Sequence, residues 1–118
     1  MPRDRLARTL VALAGLDLTV HLAQHVAEGI PAPTWFFALG VVGAAGLWTT
    51  AALWPRGSER AKTAVLAILG FGLVWGGLAM HAADAADAGL TVTHATGIVA
   101  GAFGIALLTL AAANLKRV

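Results

Sequence analysis

The chain has no cysteine, which excludes disulfides, thiolate metal sites and iron–sulfur clusters held by thiolates. It is almost as poor in charge. Only 12% of its 118 residues are Asp, Glu, Lys or Arg, against roughly a quarter in a soluble domain. Apolar residues fill the gap, at 58% of the chain. So short and apolar a chain lacks the polar surface to cover a water-facing globule, so its expected surroundings are lipid. The net charge is +2, yet nucleic acid is excluded as a partner. The basic residues sit in three short groups beside apolar stretches, the pattern of membrane orientation signals. Nothing resembles a phosphate loop or a serine triad.

A spanning helix needs about 20 mostly apolar residues, and four segments qualify. They run over about 6–27, 34–53, 61–83 and 90–113. Breakers separate them: Gly29-Ile30-Pro31-Ala32-Pro33 after the first, and Trp54-Pro55-Arg56-Gly57-Ser58 after the second. The third fades through Asp84, Asp87 and Gly89, and the fourth ends at Asn114-Leu115-Lys116-Arg117. No run has the period-2 alternation of a membrane barrel. The expected fold is therefore all-α: a single membrane domain over residues 1–118, built as a four-transmembrane-helix up-down bundle. The basic start Met1-Pro2-Arg3-Asp4-Arg5 leads into a run that is long enough to span and contains Asp17. It reads as a retained helix rather than a processed signal.

Cations set the expected orientation. Arg3, Arg5 and Arg8 precede the first helix; Arg56, Arg60 and Lys62 lie between the second and third; Lys116 and Arg117 follow the fourth. Four crossings place all three groups on one side, which the positive-inside rule makes cytoplasmic, with both termini. The expected location is the cell (inner) membrane, multi-pass. The opposite side carries Glu28, Asp84 and Asp87, with His25, His81 and His94 near helix ends and Asp17 and His21 deeper in the first helix. Trp35 and Trp54 flank the second helix, where indoles favour the interface. Gly40 and Gly43 in the second helix, Gly72 and Gly76 in the third, and Gly97 and Gly101 in the fourth are small residues at helical spacing. They are expected to bring backbones together where lipid supplies no hydrophobic drive for association. A homo-oligomer or other membrane subunits are the expected partners beside the bilayer.

The chemistry concentrates in the first helix. Asp17, His21, Gln24, His25 and Glu28 fall within about 100° of arc, so one face is polar from mid-membrane to the outer surface. Ionisable groups inside a bilayer cost a few kcal/mol each and usually face a bundle interior or a functional path. His21-x3-His25 is the one-turn spacing by which a helix presents two imidazoles to one ion. His81 and Asp84 lie one turn apart on the third helix, and His94 shares a face with Gly97 and Gly101 on the fourth. Imidazole and carboxylate together suit copper, iron or zinc. The leading expectation is thus an outer-leaflet metal site drawn from Asp17, His21, His25, His81, Asp84 and His94, with the second helix supplying packing and no ligands. The chain would then be a subunit of a larger membrane enzyme, such as a copper membrane monooxygenase or a respiratory complex, rather than a free-standing catalyst.

Three alternatives stand beside it. One is a proton-coupled small transporter or channel using Asp17. Another is a haem b anchor with two axial histidines, although the outer half offers no cation to meet the propionates. The third is a structural assembly subunit whose histidines merely sit at the interface. Two likenesses accompany these readings. A four-helix chain of this length with an acid in its first helix resembles the small multidrug-resistance transporters. The one-sided cations run against that family's antiparallel dual-topology dimer. Asp17-x3-His21 resembles the first half of the Asp-x3-His plus distant His motif of the copper-binding membrane subunit of methane and ammonia monooxygenases. His81-x12-His94 has the spacing of the second half, but on separate segments and in a much shorter chain. Neither likeness assigns a family.

Overall fold

A computed structural model describes residues 2–118. All regular elements among them are helical. Helix α1 covers Arg3–Ala27 and α2 covers Thr34–Leu53, followed by a 3-10 turn at Trp54–Arg56. Helix α3 runs continuously over Glu59–Ala88 but changes winding on the way: α-helical over Glu59–Leu73, a π-turn over Val74–Ala79, then α-helical over Met80–Ala88. Helix α4 covers Val92–Asn114 and closes with a 3-10 turn at Leu115–Arg117. All four are long and apolar enough to cross a membrane. Helices cover the four expected segments, but α1 begins at Arg3, α4 begins at Val92, and α3 continues through Asp84 and Asp87 up to Gly89. Alanines dominate that last stretch, and alanine is the best helix former.

Each boundary has a local cause. Gly29 takes a φ of +62°, which lets the end of α1 curl into a left-handed cap. There Gly29 N–H donates to the Val26 carbonyl at 3.3 Å and Ile30 N–H to that of His25 at 3.0 Å. Pro31 and Pro33 prevent the helix from resuming before Thr34. Ser58 caps α3 by accepting from Ala61 N–H at 3.1 Å. Thr91 opens α4 with a reciprocal cap: its hydroxyl accepts from His94 N–H at 3.1 Å, and His94 Nδ1 accepts from Thr91 N–H at 3.3 Å.

Packing is uneven. α3 and α4 form the tightest pair, because their backbones meet at glycines. A Cβ on Gly77 would lie 2.6 Å from Gly101 N and Gly97 O, and one on Gly104 would lie 2.7 Å from Gly70 O. Gly97 and Gly101 thus sit at a close helix contact. Gly72 and Gly76 do not. A Cβ at Gly72 meets nothing within 4 Å, and one at Gly76 meets only the Phe36 ring, at 3.8 Å. The residues facing α4 are Gly70 and Gly77, a seven-residue repeat on the other side of α3. On α2, a Cβ at Gly40 would press on Leu22 and one at Gly43 would touch Leu18, so both glycines face α1.

α1 lies against both α2 and α4, whereas α2 and α3 touch little. Val11, Leu47, Leu66 and Leu107 form the fully buried centre. Around it many large apolar side chains point outward, among them Val42, Ile68, Phe71 and Leu90. Trp54 is packed inside the bundle, 4% exposed, with the Lys62 ammonium 5.1 Å above its ring. Trp48 turns to α1 and donates to Thr19 Oγ1 at 3.0 Å.

Candidate metal centre

Three histidines from two helices meet between α1, α3 and α4. One ligating nitrogen from each of His21, His25 and His81 lies within 4.8 Å of the other two. The His21 ring contacts both partners edge to face, at centroid distances of 4.7 Å to His25 and 4.5 Å to His81. His21 and His81 are buried and His25 is half-buried. Among the described residues this is the one group of three or more His, Asp or Glu close enough to hold an ion.

Each ring is oriented by a different device. His81 sits just past the π-turn. That winding replaces i→i+4 bonds by i→i+5 ones, as from Met80 N–H to Trp75 O. His81 Nδ1 lies on two carbonyls of the turn, Gly76 O at 2.7 Å and Gly77 O at 3.0 Å. A carbonyl only accepts, so Nδ1 carries the proton and the Nε2 lone pair is left over. His25 uses the curled end of α1: its Nδ1 donates to the Ile30 carbonyl at 3.3 Å, which the Gly29 cap has folded back over the last turn. Nε2 is again free.

His21 is oriented through α4. Its Nδ1 lies 2.9 Å from Thr96 Oγ1. Thr96 has a single hydroxyl proton and two acceptor oxygens within reach, Gln24 Oε1 at 2.8 Å and the Thr93 carbonyl at 3.0 Å. With that proton given to either one, Oγ1 accepts from His21 Nδ1–H, and a third Nε2 is left without a partner. Glu28 closes the polar column outward by accepting from Thr93 Oγ1 at 3.0 Å.

The other expected ligands lie elsewhere. His94 is spent on the cap of α4: Nδ1 accepts from Thr91, and Nε2 lies 3.8 Å from Asp84 Oδ2. Asp84 is itself exposed. Neither joins the trio. Asp17 lies one turn along α1 from His21, away from the other two histidines. Its Oδ2 is buried without a hydrogen-bond partner.

A cavity of about 210 Å³ opens beside the trio. It fills the space that the weak α2–α3 contact leaves. Leu18 and Leu22 of α1, Phe36 and Phe37 of α2, and Leu73 and Trp75 of α3 form much of its wall. Apart from the Trp75 indole, His21, His25 and His81 are the only polar side chains on it among the described residues. Sequence reasoning missed this part of α2. It also missed Thr96 and the Gly76–Gly77 carbonyls. The available signals were a threonine two positions after His94 and a glycine pair four and five positions before His81.

No protein-family model, curated protein or solved structure matches the chain. Its function therefore rests on the geometry alone.

Proposed function

We propose that the chain is an up-down membrane bundle, both ends cytoplasmic, that binds one zinc or copper ion on His21, His25 and His81. The orientation is supported by the contacts between chain ends: Arg3 donates to the Ala113 carbonyl at 3.3 Å and Lys62 to Asp4 at 3.1 Å. All eight cations of the sequence then lie on one side. The outward-facing Val42, Ile68 and Phe71 meet acyl chains on this reading, without the cost of exposing them to water.

One observation carries the metal reading. Each Nδ1 in the trio has a hydrogen-bond acceptor, so the Nε2 lone pairs are left over in a group whose ligating nitrogens lie within 4.8 Å of one another. An ion about 2 Å from each nitrogen takes up these lone pairs after a small inward movement of the rings. Hydrogen-bonded Nδ1–H groups are the usual outer support of a metal-bound imidazole. Three neutral imidazoles without a carboxylate favour zinc or copper over the two-histidine, one-carboxylate arrangement of non-haem iron. Haem fits less well, because His21 and His81 touch at 4.5 Å and leave no room for a porphyrin between them. The fourth position faces the cavity, and an ion held this way acts there as a Lewis acid.

The test is elemental analysis and zinc or copper titration of the purified full chain. Near-stoichiometric metal that is lost in His21→Ala and retained in His94→Ala supports the assignment. A parent protein that binds no metal tightly overturns it.

A second reading rests on Asp17, whose Oδ2 is buried without a partner one helical turn along α1 from His21. Under it the column carries protons and Asp17 is the carrier site. Asp17→Asn then abolishes proton flux into liposomes and leaves metal content unchanged. A metal-replete protein with no measurable flux removes this reading.

A further inference from the structure

We infer that the cavity beside the histidine trio binds a small lipid-soluble phenol, whose oxygen occupies the fourth position of the ion. This rests on the metal reading above.

Size comes first. An apolar cavity of about 150 Å³ holds a benzene ring, so about 210 Å³ admits one ring with a small substituent and little more. The shape comes from residues without side chains. Gly40, Gly43, Gly72 and Gly76 all line the space, and at Gly72 even a Cβ would meet nothing within 4 Å.

The walls favour an aromatic guest. Trp75 lies 5.9 Å from Phe36 at an interplanar angle of 60°, and Phe36 lies 6.4 Å from His81. These rings provide faces and edges for tilted and edge-to-face contacts. Access is from the side. The cavity lies where α2 and α3 part, and its lining includes Ile68, which is 70% exposed on the outer surface of α3. On the membrane reading, that opening faces acyl chains and admits what dissolves in them.

The polar end fixes the functional group. A divalent ion on three neutral imidazoles keeps its full charge in apolar surroundings, which an anionic fourth ligand offsets. A phenol supplies one. Its hydroxyl proton combines with metal-bound hydroxide and leaves as water, while the phenolate oxygen takes the vacated position. The exchange leaves the charge of the site unchanged. A hydrocarbon of the same size fills the cavity and cannot take this step.

The full chain in detergent micelles, loaded with one equivalent of cobalt(II), is titrated with phenol and with toluene while the visible cobalt absorption is followed. Phenol is expected to shift the band saturably, and toluene to leave it in place but raise the phenol concentration needed. Gly72→Leu, which fills the opening, is expected to keep the parent band and require at least tenfold more phenol. Ile68→Trp adds bulk at the same opening and is read the same way, so the comparison does not hang on one variant. The phenol–toluene contrast is read in the parent. A normal cobalt band that phenol does not move overturns the inference and leaves the metal site standing. Equal phenol response in the parent and both variants also overturns it, since the shift then arises outside the cavity. A parent with no cobalt band overturns the metal reading, and this inference with it.

Discussion

The two ends of the bundle use polar groups to opposite effect. At the cation end, donors and acceptors are mostly matched across helices, the buried Trp54 Nε1 being the exception. Arg8 donates to the Ala51 carbonyl at 2.8 Å, and Arg3 to that of Ala113 at 3.3 Å, covering last-turn carbonyls that α2 and α4 leave without helical partners. Asn114 ties α4 to α3 through Thr63 Oγ1 at 2.7 Å and Glu59 Oε2 at 3.2 Å. At the histidine end some bonds also join or cap helices, such as Thr93 Oγ1 to Glu28, but those of His21, His25 and His81 orient rings and leave three nitrogen lone pairs over. One end is closed chemistry that holds helices together. The other leaves lone pairs beside a cavity, where our proposal puts an ion.

The change expected to do most damage removes the frame shared by both ends. Gly77→Val would push a side chain into Gly101 N and Gly97 O, each 2.6 Å from the Cβ position. Overpacking of this kind costs about 3 kcal/mol, and backbone atoms cannot rotate away. Thermal unfolding in micelles is expected to show a large loss of stability, with loss of metal, whereas Gly72→Ala behaves as the parent. A tolerated Gly77→Val would mean that α3 and α4 are not as close as described.

The next substitution separates the ends. His81→Ala is expected to weaken zinc binding by about 100-fold or more, since even outer supports of a metal ligand are worth 10–100-fold. Its unfolding temperature without metal should change far less than its affinity. His94→Ala is the partner experiment. It removes one half of the Thr91 cap, so a modest loss of about 1 kcal/mol is expected with zinc affinity kept. The reverse pattern would transfer the site to His94.

That contrast also marks how far the sequence could be read. The four spans were legible because composition alone dictates them. The pairing of His21 with His25 was legible because α1 is regular from Arg3 to Ala27. His94 was harder, because Thr91-x-x-His94 has the form of a capping box with histidine where Glu or Gln is usual. The π-turn was not legible at all. It inserts an extra residue into one turn of α3, so a wheel drawn at 100° per residue assigns wrong faces to the residues beyond it. The glycine contact was missed for a different reason: Gly72 with Gly76 and Gly70 with Gly77 both have helical spacing, and spacing alone does not say which face meets α4. The cavity was hidden for a related reason: it is defined by where α2 and α3 part, a tertiary fact with no local pattern.

Thr96→Val probes the histidine end more finely. Valine keeps the shape of threonine but removes the acceptor of His21 Nδ1–H and the donor to Gln24. The ring of His21 then loses its orienting bond. About a tenfold loss of zinc affinity is expected with little change in stability. A change in stability as large as that in affinity would show that the column holds the fold and does not serve the ion.

The smallest effect is expected at the opposite end. Lys62 is mostly buried and lies 3.1 Å from Asp4, whose side chain is half exposed, and 3.7 Å from Glu59. Asp4→Asn removes the nearer charge. Lys62 keeps Glu59 and the face of Trp54, and a pair open to water on one side contributes little, so about 0.5 kcal/mol is expected. Added salt should shrink the difference further, because screening acts on the exposed partner. Zinc affinity should not move, since no charge at this end reaches the trio. Equal zinc affinities in parent and Asp4→Asn, measured at low salt where any long-range field is strongest, would keep the two ends independent. A measurable shift would join them, and the division between a closed end and an open one would have to be given up.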